Sequence, residues 1–176
     1  MLAVPLYTLA VSTSAKAAII INADTCEVIY EQNADEKLPM ASTTKIMTAL
    51  LLCENGDFER EVTVTAEILR VEGSSMGLLA GDRVTLYDLL YGMMLASGND
   101  AANAAAKKIS GSMEKFVQLM NKRAKEMGLE STSFETPSGL DGENHYSTAY
   151  DMAILAKNAL QNPDFAAICG AKSLRV

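Results

Sequence analysis

The sequence predicts an α+β fold in which an antiparallel β-hairpin precedes a largely helical body. Three observations predict it. Two short β-rich runs, residues 17–22 (AAIIIN) and 26–31 (CEVIYE), flank Ala23-Asp24-Thr25 and read as a hairpin. Helix-opening caps recur at Thr85, Ser112 and Thr148 in the remainder of the chain. The 176 residues, 49% hydrophobic and 21% charged, suit one ordinary domain and argue against disorder.

After the hairpin come a polar stretch over 32–37, then Pro39, then an apolar run over 46–52. That run is too uniformly hydrophobic for a surface helix, so it predicts a buried central one. Residues 61–65 (EVTVT) alternate as a strand does. Thr85-Leu86-Tyr87-Asp88 is a capping box and opens a helix that runs to about Ala96. Alanine-rich helix follows Asp100 to Ile109, and Ser112 caps another that ends at Gly128. A loop is expected over 136–144, and Thr148 caps a helix to about Leu160. The closing residues, 172–176, read as the start of a strand.

The balance of 15 Lys plus Arg against 22 Asp plus Glu gives a net charge of −7. A nucleic-acid binder needs a cationic face, so that class is excluded. No apolar run reaches the ~18–20 residues of a membrane-spanning helix. Cys26, Cys53 and Cys169 lie far apart with no CxxC or Cys/His cluster, which predicts small buried hydrophobes and not a zinc site or disulfide framework. Residues 2–11 are apolar and Ala15-Lys16-Ala17 has the A-x-A form, but no basic segment precedes them. Residues 1–16 therefore read as the remnant of an export signal or an N-terminal extension, and 17–176 as the folded domain.

Candidate nucleophiles are serines. Gly73-Ser74-Ser75-Met76-Gly77 fits G-x-S-x-G, yet a nucleophile elbow must run into a helix, and Gly81-Asp82 intervenes. An esterase using Ser75 would also have to recruit His145, the one histidine. A glycine-flanked turn explains Ser75 better. The pattern S-x-x-K occurs twice. Ser112-Met113-Glu114-Lys115 opens a Lys- and Glu-rich amphipathic helix and reads as an N-cap with a solvated lysine. Ser42-Thr43-Thr44-Lys45 instead opens the helix that is apolar on nearly all sides. Positions i and i+3 share a helix face, so the Lys45 amine reaches the Ser42 hydroxyl. Burial and the positive end of the helix dipole both favour a neutral amine that can act as a base. The same helix start would aim a backbone N–H at an oxyanion. Taken alone, the pattern is equally served by an N-cap at Ser42 and a snorkelling lysine. Ser97-Gly98-Asn99, the one S-x-N in the chain, lies between two predicted helices, where a hydroxyl and an amide can project into a cleft. S-x-x-K followed by an S-x-N type element is part of the motif set of penicillin-binding proteins and β-lactamases.

The stretches LPMASTTKIMTALL (38–51), EGSS (72–75), YDLLYGMMLASGNDAANAAA (87–106), FVQLMNKRAKEMGL (116–129) and HYSTAYDMAILA (145–156) together carry a resemblance. The sequence resembles the low-molecular-mass penicillin-binding proteins, the serine D-Ala-D-Ala carboxypeptidases of peptidoglycan metabolism. The segment TPSGL (136–140) departs from the asparagine and histidine frequent at this loop. The resemblance implies a β-lactamase/transpeptidase-like fold. It also implies that Ser42 attacks the carbonyl between the two terminal D-alanines of a stem peptide and that Lys45 accepts its proton. Ser97 would pass a proton to the leaving amine, and Asn99 would hold Lys45 and the substrate amide. Water hydrolyses the acyl-enzyme, with no metal or organic cofactor, and β-lactams acylate the same serine as inhibitors. The implied location is extracytoplasmic, at the cell envelope, with membrane association only through regions absent from this sequence.

The family's third element is not found. No Lys-Thr-Gly or Lys-Ser-Gly occurs, and the nearest triplet is Lys172-Ser173-Leu174. In the family that element lines the cleft on a later strand, which supplies a second oxyanion donor, and losing one such donor costs ~10²–10³ in rate. The expectation is a C-terminally truncated domain without the C-terminal sheet strands, leaving the first strand as an unprotected apolar edge. Such a chain would be impaired or inactive unless another segment completes it. A β-lactamase, or a non-catalytic remnant that binds peptidoglycan, are the alternative readings.

Overall fold

The structure is a computed structural model that describes residues 13–140 and 142–173. The hairpin is present: β1 (Ala18–Ile21) pairs antiparallel with β2 (Val28–Gln32), Ile19 opposite Glu31 and Ile20 opposite Tyr30. Its turn is closed by Asn22, whose side-chain oxygen accepts from the Asp24 and Thr25 N–H groups at 2.8 and 3.1 Å. Among the described residues this sheet has two strands, and Ile20 and Ile29 are 54% and 66% exposed. The apolar stretch over 2–11 that reads as an export-signal remnant lies outside the described residues, as do the last three positions of the expected terminal strand.

The helical body is built around α1 (Lys45–Asn55). Met47, Ala49, Leu50, Leu51, Leu52 and Cys53 are all buried on it, as the unbroken apolar run predicts. A single 3₁₀ turn, Ala41–Thr44, leads into α1, so Ser42 precedes the α-helix and neither caps nor belongs to it. The turn keeps Ser42 and Lys45 on one side, because residues three apart eclipse in a 3₁₀ helix.

The run over 61–65 is shorter than expected: β3 (Glu61–Thr63) pairs with β4 (Arg83–Thr85), which has no signal of its own in the sequence. The Thr85–Asp88 capping box is formed on both sides and opens α2 (Leu86–Ala96). Helix α3 (Asn99–Ser110) contributes Ala101, Ala102, Ala104, Ala105 and Ala106, all fully buried, so α1, α2 and α4 can approach its backbone closely. Helix α4 (Met113–Glu126) buries Phe116, Met120 and Ala124 at four-residue spacing, capped by Ser112 as predicted.

Thr148 caps α5 (Ala149–Leu160), which packs on α1 and on β1 and so joins the hairpin to the body. A short α6 (Pro163–Cys169), with Asn162 as cap and Pro163 in its first turn, completes the described chain. The cysteines depart from the sequence reading. All three are free, but only Cys53 is buried; Cys26 is half-buried in the hairpin turn, and Cys169 is exposed at the end of α6. Among the described residues no helix is long and apolar enough to cross a membrane.

Candidate active site

The 3₁₀ turn, the α2–α3 junction and the loop before α5 converge on Lys45. The Lys45 amine donates to Ser42 Oγ at 3.2 Å, to Asn99 Oδ1 at 2.7 Å and to the Ser138 carbonyl at 2.6 Å. Ser97 Oγ donates to Ser42 Oγ at 3.0 Å. Ser42 is exposed while Lys45 and Asn99 are buried, so a nucleophile at the surface is backed by a desolvated amine. That burial lowers the Lys45 pKa from 10.5 to about 8.

Local backbone geometry aims these groups. Ala41, directly before Ser42, and Ser97 both have left-handed φ values, 44° and 54°. Left-handed backbone is costly for residues with a Cβ and persists where the surroundings enforce it, commonly at functional sites. Asn99 begins α3 with Gly98 as N-cap, so the Asn99 side chain is free to bridge. Its amide NH₂ donates to the Glu72 carbonyl at 2.7 Å while its oxygen accepts from Lys45.

Residues 6–174 match the family described as D-alanyl-D-alanine carboxypeptidase, peptidase family S11. The chain belongs to that family. It is 47% identical over 152 residues to the D-alanyl-D-alanine carboxypeptidase DacF of Bacillus subtilis, covering 84% of this chain and 39% of that protein. It is 42% identical over 157 residues to DacC of Escherichia coli, covering 83% of this chain and again 39% of the relative. Among solved structures, penicillin binding protein 6B of Escherichia coli superposes with a TM-score of 0.89 at 31% identity, over 99% of this chain and 59% of that one. A D-alanyl-D-alanine carboxypeptidase of Mycobacterium tuberculosis gives 0.90 at 32%, over 97% and 65%. The chain thus spans between about two fifths and just over half of the length of the curated carboxypeptidases it matches, and its fold is that of the penicillin-binding carboxypeptidases.

Within this member of the family, all four residues singled out by sequence, Ser42, Lys45, Ser97 and Asn99, meet in one hydrogen-bonded group. The other S-x-x-K stays apart: Ser112 caps α4 by accepting from the Lys115 N–H at 3.2 Å. Ser75 is no elbow nucleophile. It donates to Asp100 Oδ2 at 2.6 Å, and no helix follows it before Gly81.

Two parts of the site escape sequence reading. One is the Ser138 carbonyl, which any residue type could supply. The other is Asp100, a buried carboxylate that also accepts from the N–H groups of Met76, Gly77, Leu78 and Ala101 at 2.9–3.2 Å. Burial opposes its ionisation, but the Ser75 hydroxyl and the backbone N–H groups outweigh that and hold its carboxyl below the usual range. Asp100 thereby straps the 75–78 segment to the start of α3, next to Asn99. Asp100→Asn, which cannot accept on both oxygens, is expected to cost about 1.5–3 kcal/mol at pH 7, read as a denaturant midpoint. The sign follows from the lowered pKa: the wild type holds this advantage above the ordinary aspartate pKa and loses it as pH falls through the native one. A difference that stays constant down to pH 2 would contradict the role.

Proposed function

We propose that the chain carries the acylation machinery of a serine D,D-carboxypeptidase that removes the terminal D-alanine from peptidoglycan stem peptides through an acyl-enzyme on Ser42. The observation that carries this reading is the set of partners around Lys45. Asn99 Oδ1 and the Ser138 carbonyl can only accept hydrogen bonds. As an ammonium Lys45 donates to both and to Ser42 Oγ at 3.2 Å; once neutral it keeps two N–H bonds, which those two acceptors take, and its lone pair faces Ser42. The site orients the base before substrate arrives.

In the forward step Ser42 Oγ attacks the carbonyl between the D-alanines, and its proton moves to Lys45 Nζ. Ser97, within 3.0 Å of Ser42 Oγ, relays a proton to the departing D-alanine amine. Asn99 holds Lys45 and meets the substrate amide, and water then hydrolyses the ester. β-Lactams present the same acyl group and acylate the same serine. Such a substrate places the site of action outside the cytoplasm, at the cell envelope, and the export-signal reading of residues 1–16 fits that location.

Intact-mass measurement after incubation with a penicillin tests the reading. A single adduct is expected on the wild-type chain and none on Ser42→Ala. Absence of an adduct on the folded wild-type chain after prolonged incubation would overturn the reading.

A further inference from the structure

We propose that His145 is a positioning residue that ties the 134–147 loop to the turn carrying the nucleophile and so keeps the Ser138 carbonyl on Lys45. The proposal deepens the reading above, since the groups it positions are that reading's base and nucleophile.

His145 is the one histidine of the chain and is 2% exposed. Its Nδ1 lies 2.9 Å from the Glu135 backbone N–H, which can only donate, so Nδ1 is the acceptor. The ring proton therefore sits on Nε2, which donates to Thr44 Oγ1 at 2.8 Å. One neutral imidazole thus holds the start of the loop by its backbone and the nucleophile turn by a buried hydroxyl. Phe134 packs edge-on against the ring, centroids 6.0 Å apart, and fixes its plane. Thr44, directly before Lys45, makes no side-chain cap to α1, which leaves its hydroxyl to His145.

The loop it holds reaches the turn and α1 mainly through backbone. Thr48 Oγ1 donates to the Pro137 carbonyl at 2.7 Å, and Lys45 donates to the Ser138 carbonyl at 2.6 Å. Gly139 lies so near that a Cβ there would stand 2.0 Å from the Ala41 carbonyl oxygen. Carbonyl acceptors carry no register information of their own, since each peptide unit offers the same group. A side chain that bridges loop and turn sets which carbonyl faces Lys45. The two ring nitrogens face the Glu135 N–H and Thr44 Oγ1, and Ser75 donates to Asp100.

The test needs no turnover. Thr44→Val keeps the shape and removes the hydroxyl. His145→Asn keeps an acceptor near Nδ1 and loses the Nε2 donor, whereas His145→Gln keeps a donor near Nε2 and loses the acceptor. With ¹⁵N-histidine, the wild type is expected to give a single Nε2–H tautomer signal. With ¹⁵N-lysine at pH 6, where Lys45 is an ammonium, its Nζ protons are expected to exchange about tenfold faster in T44V, H145N and H145Q, the factor for one lost hydrogen bond. Thr44→Ser should restore the wild-type rate. Lys45 exchange at the wild-type rate in folded T44V and H145N, even with a lowered Tm, overturns the proposal, because a merely structural role lowers Tm alone. An Nδ1–H tautomer overturns it too. Failure of the penicillin adduct to form leaves these readouts intact, so the two readings fail separately.

Discussion

Methionine in place of Lys45 is expected to slow acylation of Ser42 by a penicillin about 10²–10⁴-fold, the range for removing a positioned general base. The substitution keeps length and apolar stem, so the change isolates the amine. Burial brings the Lys45 pKa to about 8, so the neutral, basic form is about a tenth of the population at pH 7. Wild-type acylation should therefore rise with pH and level off above about 8, while the variant loses that dependence. Stability carries the same signature with a definite sign. Between pH 8 and 10.5 the unfolded lysine holds a proton that the native one has released, so unfolding takes up protons and native stability rises with pH. The wild type should gain on Lys45→Met across that window and not below it. Urea midpoints at pH 7, 9 and 10.5, together with adduct formation followed by mass, check both. A flat acylation profile would remove Lys45 from the role of base.

The parts of this fold legible in the sequence are those encoded by local pattern. The apolar run over 46–52 demanded a buried helix, and Met47 and Leu52 are interior residues of α1. The caps at Thr85, Ser112 and Thr148 each accept from the backbone N–H three residues on. Strand β4 was not legible, because three residues, Arg83-Val84-Thr85, carry too short an alternation and form only by pairing with β3. The site divides the same way. Ser42 and Lys45 are three residues apart and Ser97 and Asn99 two apart, so each pair was visible as a motif. What brings the pairs together is long-range: Lys45 to Asn99 across 54 positions and Thr44 to His145 across 101. The Ser138 acceptor is backbone, so its side chain could depart from the family pattern while the bond to Lys45 remained. The short turn that carries Ser42 reads as helix in the sequence because 3₁₀ and α spacing are alike over one turn.

Alanine at Gly139 is expected to be the most damaging small substitution in the chain's loops, costing about 2–6 kcal/mol from backbone strain and overpacking together. Its φ is +90°, and the added Cβ would meet the Ala41 carbonyl oxygen at 2.0 Å, the Ala41 carbonyl carbon at 2.6 Å and Thr44 Oγ1 at 3.0 Å. Two of those atoms are backbone in the turn that carries Ser42, so no rotamer change relieves the clash. The loop must lift instead, and lifting it withdraws the Pro137 carbonyl from Thr48 and the Ser138 carbonyl from Lys45. Stability and acylation should therefore fall together, which distinguishes this change from Lys45→Met. Gly142, three residues on in the same loop, is the control. A Cβ there would meet Glu135 Oε2 at 2.0 Å, the far end of an exposed side chain that can swing away. Its cost should stay near the ~1 kcal/mol of one hydrogen bond, that between Glu135 and the Asn144 N–H. Chemical denaturation of the two variants beside the wild type checks the contrast. Equal losses at the two positions would mean that the loop does not rest on the nucleophile turn, and the orientation of the Lys45 lone pair would then need another source.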